Sequence, residues 1–166
     1  MIDIWINVGI IVVLLLLGAV FFGAPYVPTR QKDVKKLFEL IDKKGVLVDL
    51  GSGDGRLVRA AAERGMKAYG IELSPVLALM SWLSLGKLRR RVSIKWGNYW
   101  RMELPMETTV VFVFLADPFM DKLRVYLEAE ALRLCRELTL VSYGFELPGY
   151  RPVKTKDALL VYKIKP

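Results

Sequence analysis

Val46-Leu47-Val48-Asp49-Leu50-Gly51-Ser52-Gly53-Asp54-Gly55 places two carboxylates around a glycine-dense turn. The apolar run before the turn reads as a buried strand, and the apolar periodicity from Arg56 onward reads as a helix. A strand, a glycine-rich loop and a helix N-terminus together build a nucleotide-cofactor site. Gly51 and Gly53 let the backbone turn and approach a ligand with no Cβ in the way, and Gly55 allows close packing where the helix begins.

The acidic residues decide what such a loop holds. A dinucleotide site shows G-x-G-x-x-G, and a phosphate loop needs G-K-[ST]. Here there is no lysine, and Asp49 and Asp54 would repel a pyrophosphate. They suit a ligand carrying an ammonium and a sulfonium, which is S-adenosylmethionine (SAM). The next strand, 67–72, ends in Glu72, 21 residues after Gly51. A carboxylate there accepts hydrogen bonds from both ribose hydroxyls. After the third strand, 92–96, comes Gly97-Asn98-Tyr99-Trp100. Asn98 can accept from the adenine amino group through its side-chain carbonyl, and Trp100 or Tyr99 can lie against the ring or simply pack.

The chain of 166 residues is read as one catalytic domain with a leader. It has no histidine and a single cysteine, Cys135, which excludes His-based triads, an internal disulfide and a Cys-cluster metal site. No metal is expected. Residues 4–23 carry no charge and are long enough to cross a bilayer. The basic residues Arg30, Lys32, Lys35 and Lys36 follow that run, so the positive-inside rule predicts an uncleaved anchor with the remainder on the cytoplasmic side. A signal peptide would want its basic residues before a shorter apolar core. Residues 24–29 form a stiff connector. Thr29 is the expected N-cap of a helix over 30–43, whose Val34, Leu37, Phe38 and Ile41 share one face.

Beyond the loop, helices are predicted over 56–64, over 75–85 with Ser74 as N-cap and Pro75 at the first helical position, and over 120–133, and strands over 108–115 and 138–143. A hairpin is predicted from the runs 151–155 and 158–164. Open α/β sheets place their chemistry at the carboxyl ends of the strands. Asp117, Phe119 and Phe145 fall there and are the residues expected to line an acceptor slot. The basic cluster 87–91 reads as a solvated helix end, a contact for anionic headgroups or a nucleic-acid contact. No RNA or DNA recognition element accompanies it, so nucleic acid is not favoured.

Alternating strands and helices, the D-x-G-x-G-x-G loop and a terminal hairpin resemble the class I SAM-dependent methyltransferase fold over residues 45–166. That fold is α/β and Rossmann-like, with a mostly parallel sheet and a C-terminal antiparallel hairpin. Here one transmembrane helix is expected to precede it. More narrowly, Pro25-Tyr26-Val27-Pro28-Thr29, Leu47 through Arg56, and Gly70-Ile71-Glu72-Leu73 resemble a family of small protein-lysine methyltransferases. That family includes the membrane-anchored mitochondrial enzymes that modify the adenine nucleotide translocator and the ATP synthase c-subunit, with archaeal and bacterial relatives.

The resemblance implies a division into an anchor (1–23), a connector with a leading helix (24–44) and a methyltransferase domain (45–166). Asp49, Gly51, Ser52, Gly53 and Gly55 would then hold the methionine end of SAM. Glu72 with Leu73 would hold the ribose, Asn98 and Trp100 the adenine, and Tyr26 and Thr29 would close over the cofactor. Asp117-Pro118-Phe119 matches the Asp/Asn-Pro-Pro-Tyr/Phe motif of amino-group methyltransferases only in part, since one proline is missing. The expected activity is SAM-dependent N-methylation of a protein lysine at a membrane, mitochondrial if the chain is eukaryotic. The alternatives are a small-molecule or lipid amine N-methyltransferase and a non-catalytic SAM-binding membrane component.

Overall fold

Seven strands form one sheet in the computed structural model, which describes residues 4, 6, 7, 9, 10, 29–42 and 44–166. Most of the expected span 4–23, and Tyr26 in the connector, lie outside the described residues. Among the described residues, no helix is long and apolar enough to cross a membrane.

The strands are β1 (Val46–Leu50), β2 (Lys67–Glu72), β3 (Val92–Trp96), β4 (Thr108–Val113), β5 (Leu138–Tyr143), β6 (Lys154–Lys156) and β7 (Leu159–Ile164). Their order is β3-β2-β1-β4-β5-β7-β6. The first five are parallel, and β7 runs antiparallel to β5 and β6. Near-continuous apolar runs in β1, β4 and β5 are what parallel strands covered on both faces require. The order reverses between β1 and β4, and a ligand crevice opens at such a switch point.

The helices are α1 (Gln31–Leu40), α2 (Arg56–Glu63), α3 (Pro75–Ser84) and α4 (Met120–Leu134). They divide unequally. Val34, Leu37 and Phe38 of α1, Leu57, Val58 and Ala61 of α2, and Leu85 after α3 pack on one face of the sheet with Leu47, Phe112 and Val141. On the other face α4 supplies Met120, Leu123, Leu127, Ala131 and Leu134, a single apolar stripe. Burying each large side chain of that stripe contributes about 1.5–3 kcal/mol. The rest of that face is covered by loop residues, among them Tyr99, Trp100, Phe145 and Tyr150. Glu130 is buried on α4 and pins the 102–107 loop, accepting from the Leu104 N–H at 2.8 Å and pairing with Arg133 at 2.7 Å.

The element bounds depart from the expectations mainly at ends. Helix α1 stops at Leu40 rather than 43, and its N-cap is Arg30, without a side-chain cap bond. The Arg30 carbonyl accepts from Asp33 and Val34 instead, so Thr29 is free of capping duty. Ser74 caps α3 as expected, accepting from the Leu77 N–H at 3.4 Å. The hairpin turns at Asp157, whose φ is +52°, and ion pairs Lys36–Asp157 and Lys156–Glu39 tie it to α1.

Candidate cofactor and acceptor site

The loop after β1 is fastened to the end of β2. Gly51 and Ser52 donate to the Ile71 carbonyl at 2.8 and 3.1 Å, and Gly55 donates to the Ser52 carbonyl at 2.9 Å. Gly51, Gly53 and Gly55 all have left-handed φ, at +86°, +54° and +76°. Two of them do different work. A Cβ on Gly51 would meet nothing within 4 Å, so its backbone faces open space. A Cβ on Gly55 would come within 2.0 Å of Ser81 Oγ, so this glycine lets the start of α2 lie against α3.

Ser52 is buried, and its Oγ has no hydrogen-bond partner among the described residues. It turns toward the sheet, where a Cβ on Gly70 would lie 2.5 Å from it. The Ser52 hydroxyl is therefore a packing group. The signal for this was Gly70, a glycine inside a strand, which marks a close approach.

Asp49, the next-to-last residue of β1, lies on the face shared with α1 and α2, in register with Phe112 of β4. Only 4% of it is exposed. Burial, then the Glu72 and Asp54 carboxylates, push its pKa up to about 8. Glu72 is also buried and is held by two backbone donors, Gly53 N–H and Ser74 N–H, each at 2.8 Å and each on its own carboxylate oxygen. Each oxygen keeps a lone pair for a ligand hydroxyl.

Asp54 does not contribute the free negative charge expected of it. Arg56 pairs with it in a two-pronged contact, with Nη2–Oδ2 at 2.7 Å and Nε at 3.0 and 3.1 Å from the two oxygens. The same guanidinium donates from Nη1 to the Thr29 carbonyl at 3.0 Å. The Thr29 backbone is thus tied to Arg56, the first residue of the helix after the glycine loop.

In the loop expected to meet adenine, Asn98 Oδ1 accepts from the Trp100 N–H at 3.0 Å and caps the short helical turn Tyr99–Arg101. That leaves one lone pair and the amide N–H groups for a base edge. The Trp100 ring lies 4.6 Å from Tyr99 and 6.1 Å, edge-on, from Tyr126. Lys122 Nζ sits 4.5 Å from the ring centroid. Packing on α4 accounts for this indole. Leu73 is 39% exposed, and its carbonyl accepts from Trp96 Nε1 at 3.0 Å.

Asp117 and Phe119 form a short helical turn ahead of α4, and both are exposed. Phe145 follows β5 and packs against the second core. All three lie at the carboxyl ends of the neighbouring strands β4 and β5. Sequence reading missed an aromatic pair on the Asp49 face. Phe114 and Tyr143 extend β4 and β5 on the Asp49 face, with ring centroids 4.9 Å apart at 65°. Tyr143 donates its hydroxyl to Asp33 Oδ2 at 2.9 Å, and Asp33 is buried at the start of α1. The period-2 alternation Asp49/Gly51 and Phe112/Phe114 was the available signal.

These residues fit a cationic nucleoside ligand. Asp49 is a buried carboxylate with no compensating hydrogen bond among the described residues, and Gly51 offers open backbone beside it. No Lys or Arg stands in the loop 49–55 to hold a phosphate.

Comparison with known proteins agrees. Residues 49–154 match the family model of the ANTKMT methyltransferase domain. The chain is 32% identical over 142 residues to a protein-lysine N-methyltransferase of Saccharolobus islandicus (strain REY15A), covering 80% of this chain and 86% of the relative. It is 35% identical over 133 residues to the adenine nucleotide translocase lysine N-methyltransferase of Mus musculus, covering 78% of this chain and 56% of that one. The chain therefore spans little more than half the length of that vertebrate relative. Among solved structures, an RNA methyltransferase from Salinibacter ruber in complex with S-adenosyl-L-homocysteine superposes with a TM-score of 0.70. It is 30% identical, over 84% of this chain and 94% of that one.

Proposed function

This chain belongs to the ANTKMT methyltransferase-domain family, whose members are SAM-dependent, and from that premise we propose that it N-methylates protein lysine side chains at a membrane surface. The observation that carries the reading is the buried Asp49, without a hydrogen-bond partner among the described residues, and the open Gly51 backbone, on the same sheet face as the Phe114–Tyr143 pair. A site for a cationic cofactor thus adjoins an aromatic wall. The protein-lysine and adenine nucleotide translocase methyltransferases among its relatives support the acceptor class.

Bound in this cradle, SAM supplies an electrophilic methyl group on a sulfonium. Asp49 faces the ammonium end, Glu72 keeps lone pairs for the ribose, and Asn98 meets the base. The protein's remaining task is alignment, since holding donor and acceptor in line supplies much of the acceleration. The acceptor amine must arrive neutral. From an ordinary pKa of about 10.4, neutrality at pH 7 costs roughly 4.6 kcal/mol. An aromatic, water-poor slot reduces that cost by disfavouring the ammonium. Phe114, Tyr143, Phe119 and Phe145 form the walls in this reading. The Tyr143 oxygen, its proton committed to Asp33, keeps lone pairs that can accept one amine N–H and orient it. Asp117 attracts the incoming side chain and orients it.

The membrane location rests on the uncharged run 4–23 and the basic residues that follow it. In this reading 1–23 is the anchor, 24–44 the connector and 45–166 the catalytic domain on the cytoplasmic side. A second reading, RNA methylation, has two observations in its favour: the Salinibacter neighbour and a net charge of +8.

Tritiated SAM, supplied to the detergent-solubilised chain with membranes, soluble protein and total RNA, separates these readings. The proposal requires label in protein, recovered as methyl-lysine on hydrolysis and lost with Asp49→Asn. Label in RNA or in lipid overturns it in favour of those acceptors. SAM binding with no label in any fraction leaves a non-catalytic SAM-binding protein.

A further inference from the structure

We propose that the outer face of α3 and the turn after it form a docking surface for an anionic bilayer. The inference rests on the proposed membrane location and is independent of the methyl acceptor.

Helix α3, Pro75–Ser84, contains no charged residue. Its inner face is satisfied by Ala78 and Ser81, which are buried against the sheet and Gly55. A helix on a water-exposed surface turns polar residues outward. This one turns out Leu79, Met80, Trp82 and Leu83, which are 56%, 55%, 44% and 58% exposed. Trp96 of the edge strand β3, 69% exposed, extends the patch across a shallow groove it shares with Trp82 and Leu79. A contiguous apolar patch of this kind marks an interaction surface.

Charge identifies the partner. From Leu73 to Met102 there is no Asp or Glu, while Lys87, Arg89, Arg90, Arg91, Lys95 and Arg101 are all present. The turn Gly86–Arg90 sets three of these six cations, Lys87, Arg89 and Arg90, at the end of the apolar face. Arg89 lies over the Trp82 ring at 3.7 Å, joining the basic and aromatic parts. Exposed aliphatic side chains, interfacial tryptophans and flanking cations are the makeup of a surface that sinks into the headgroup region of an anionic leaflet. A nucleic acid would use the cations and leave Leu79, Met80 and Leu83 in water. Position agrees too. Helix α3 lies in the same layer as α1 and α2, where Thr29, the last residue of the connector, meets Arg56.

The test uses the full chain with its one cysteine removed by Cys135→Ser. Nitroxide labels are placed through Leu83→Cys on α3 or Leu132→Cys on α4, a position on the opposite layer that is 62% exposed. The protein is reconstituted in vesicles of phosphatidylcholine with or without phosphatidylglycerol. Collisions with oxygen and with a water-soluble nickel chelate are then read by paramagnetic resonance. With phosphatidylglycerol present, the Leu83 label should favour oxygen at least several-fold over the nickel chelate, and the Leu132 label should show the reverse. Adding Lys87→Glu, Arg89→Glu and Arg90→Glu should return the Leu83 label to water while SAM binding is retained.

A Leu83 label fully accessible to nickel in anionic vesicles overturns the docking surface. Protection from both reagents overturns it by showing that protein covers the face, and protection that appears only on adding RNA assigns the face to nucleic acid. Failure of the chain to float with either vesicle overturns the membrane location itself. None of these outcomes touches methyl transfer, which the labelling experiment reads separately.

Discussion

Binding of SAM should expel a proton from Asp49. Burial and the two neighbouring carboxylates hold its pKa at about 8, against an ordinary 3.8. At pH 6.5 a group of that pKa is ionised in roughly 3% of molecules. A ligand with an ammonium and a sulfonium favours the carboxylate form. Ionising Asp49 at pH 6.5 costs about 2 kcal/mol, at about 1.36 kcal/mol per unit, so the ligand's charges must more than offset that. The choice of pH 6.5 keeps the ligand's own α-amino group, ordinarily near 7.7–8.0, largely protonated, so it adds little to the proton count. Titration calorimetry in buffers of unequal ionisation enthalpy reads the protons directly. The wild-type chain should release close to one proton per SAM bound, and Asp49→Asn close to none. The same group makes the free protein pH-sensitive. Its folded pKa lies above the unfolded one, so between about 4 and 8 the unfolded chain gives up a proton that the folded chain keeps. Stability is therefore full below that window and declines as pH rises through it. The melting temperature of wild type should fall relative to Asp49→Asn over the same range. Tight binding at pH 6.5 without proton release would refute the reasoning, because Asp49 would then be ionised beforehand or would not meet the ligand's cations.

Three further substitutions test the scaffold. Gly55→Ala adds a Cβ 2.0 Å from Ser81 Oγ at a φ of +76°, so it should cost about 1–3 kcal/mol and lower the melting temperature by several degrees. Ser81→Ala removes a buried hydroxyl without a partner among the described residues; alone it should be neutral or stabilising, and with Gly55→Ala it should restore part of the loss. Glu130→Ala strips the buried Leu104 N–H of its acceptor and Arg133 of its buried carboxylate partner, and should cost about 2–4 kcal/mol in urea unfolding. SAM affinity of the folded protein should stay within roughly twofold, because the change lies on α4, away from the glycine loop.

The sheet was legible because its strands are short apolar runs separated by unambiguous turn chemistry. Val46–Leu50 ahead of three glycines and Thr108–Val113 ahead of Asp117-Pro118 need no tertiary knowledge to recognise. What sequence reading missed was which neighbours each side chain would meet. Thr29 has the chemistry of an N-cap, yet its carbonyl is taken by Arg56, 27 residues on, and the helix starts one residue later. Trp100 has the chemistry of a base-stacking ring, yet Tyr99, Tyr126 and Lys122 surround it, because loop aromatics rather than a helix cover that part of the sheet. Phe114 and Tyr143 were passed over as ordinary strand residues. Their meaning depends on the parallel register of β1, β4 and β5, which brings separate alternations onto one face.

The acidic residues around the glycine loop do not act alike. Asp49 and Asp54 were expected to exclude a pyrophosphate together, but Arg56 takes up Asp54. The repulsion then falls to Glu72, buried at the end of β2 beside Asp49. Glu72 spends one lone pair of each oxygen on the loop backbone, which fixes the carboxylate in place before any ligand arrives. Asp49 makes no such bond among the described residues, and burial raises its pKa until a proton neutralises it over most of the physiological range. The two acids therefore differ in kind. Glu72 is a fixed acceptor aimed at hydroxyls, and Asp49 is a carboxyl that ionises only when a cation is supplied. A phosphate brings no cation and would leave Asp49 protonated. That difference, set by backbone donors at one strand end and their lack at the next, makes the site select for a sulfonium nucleoside.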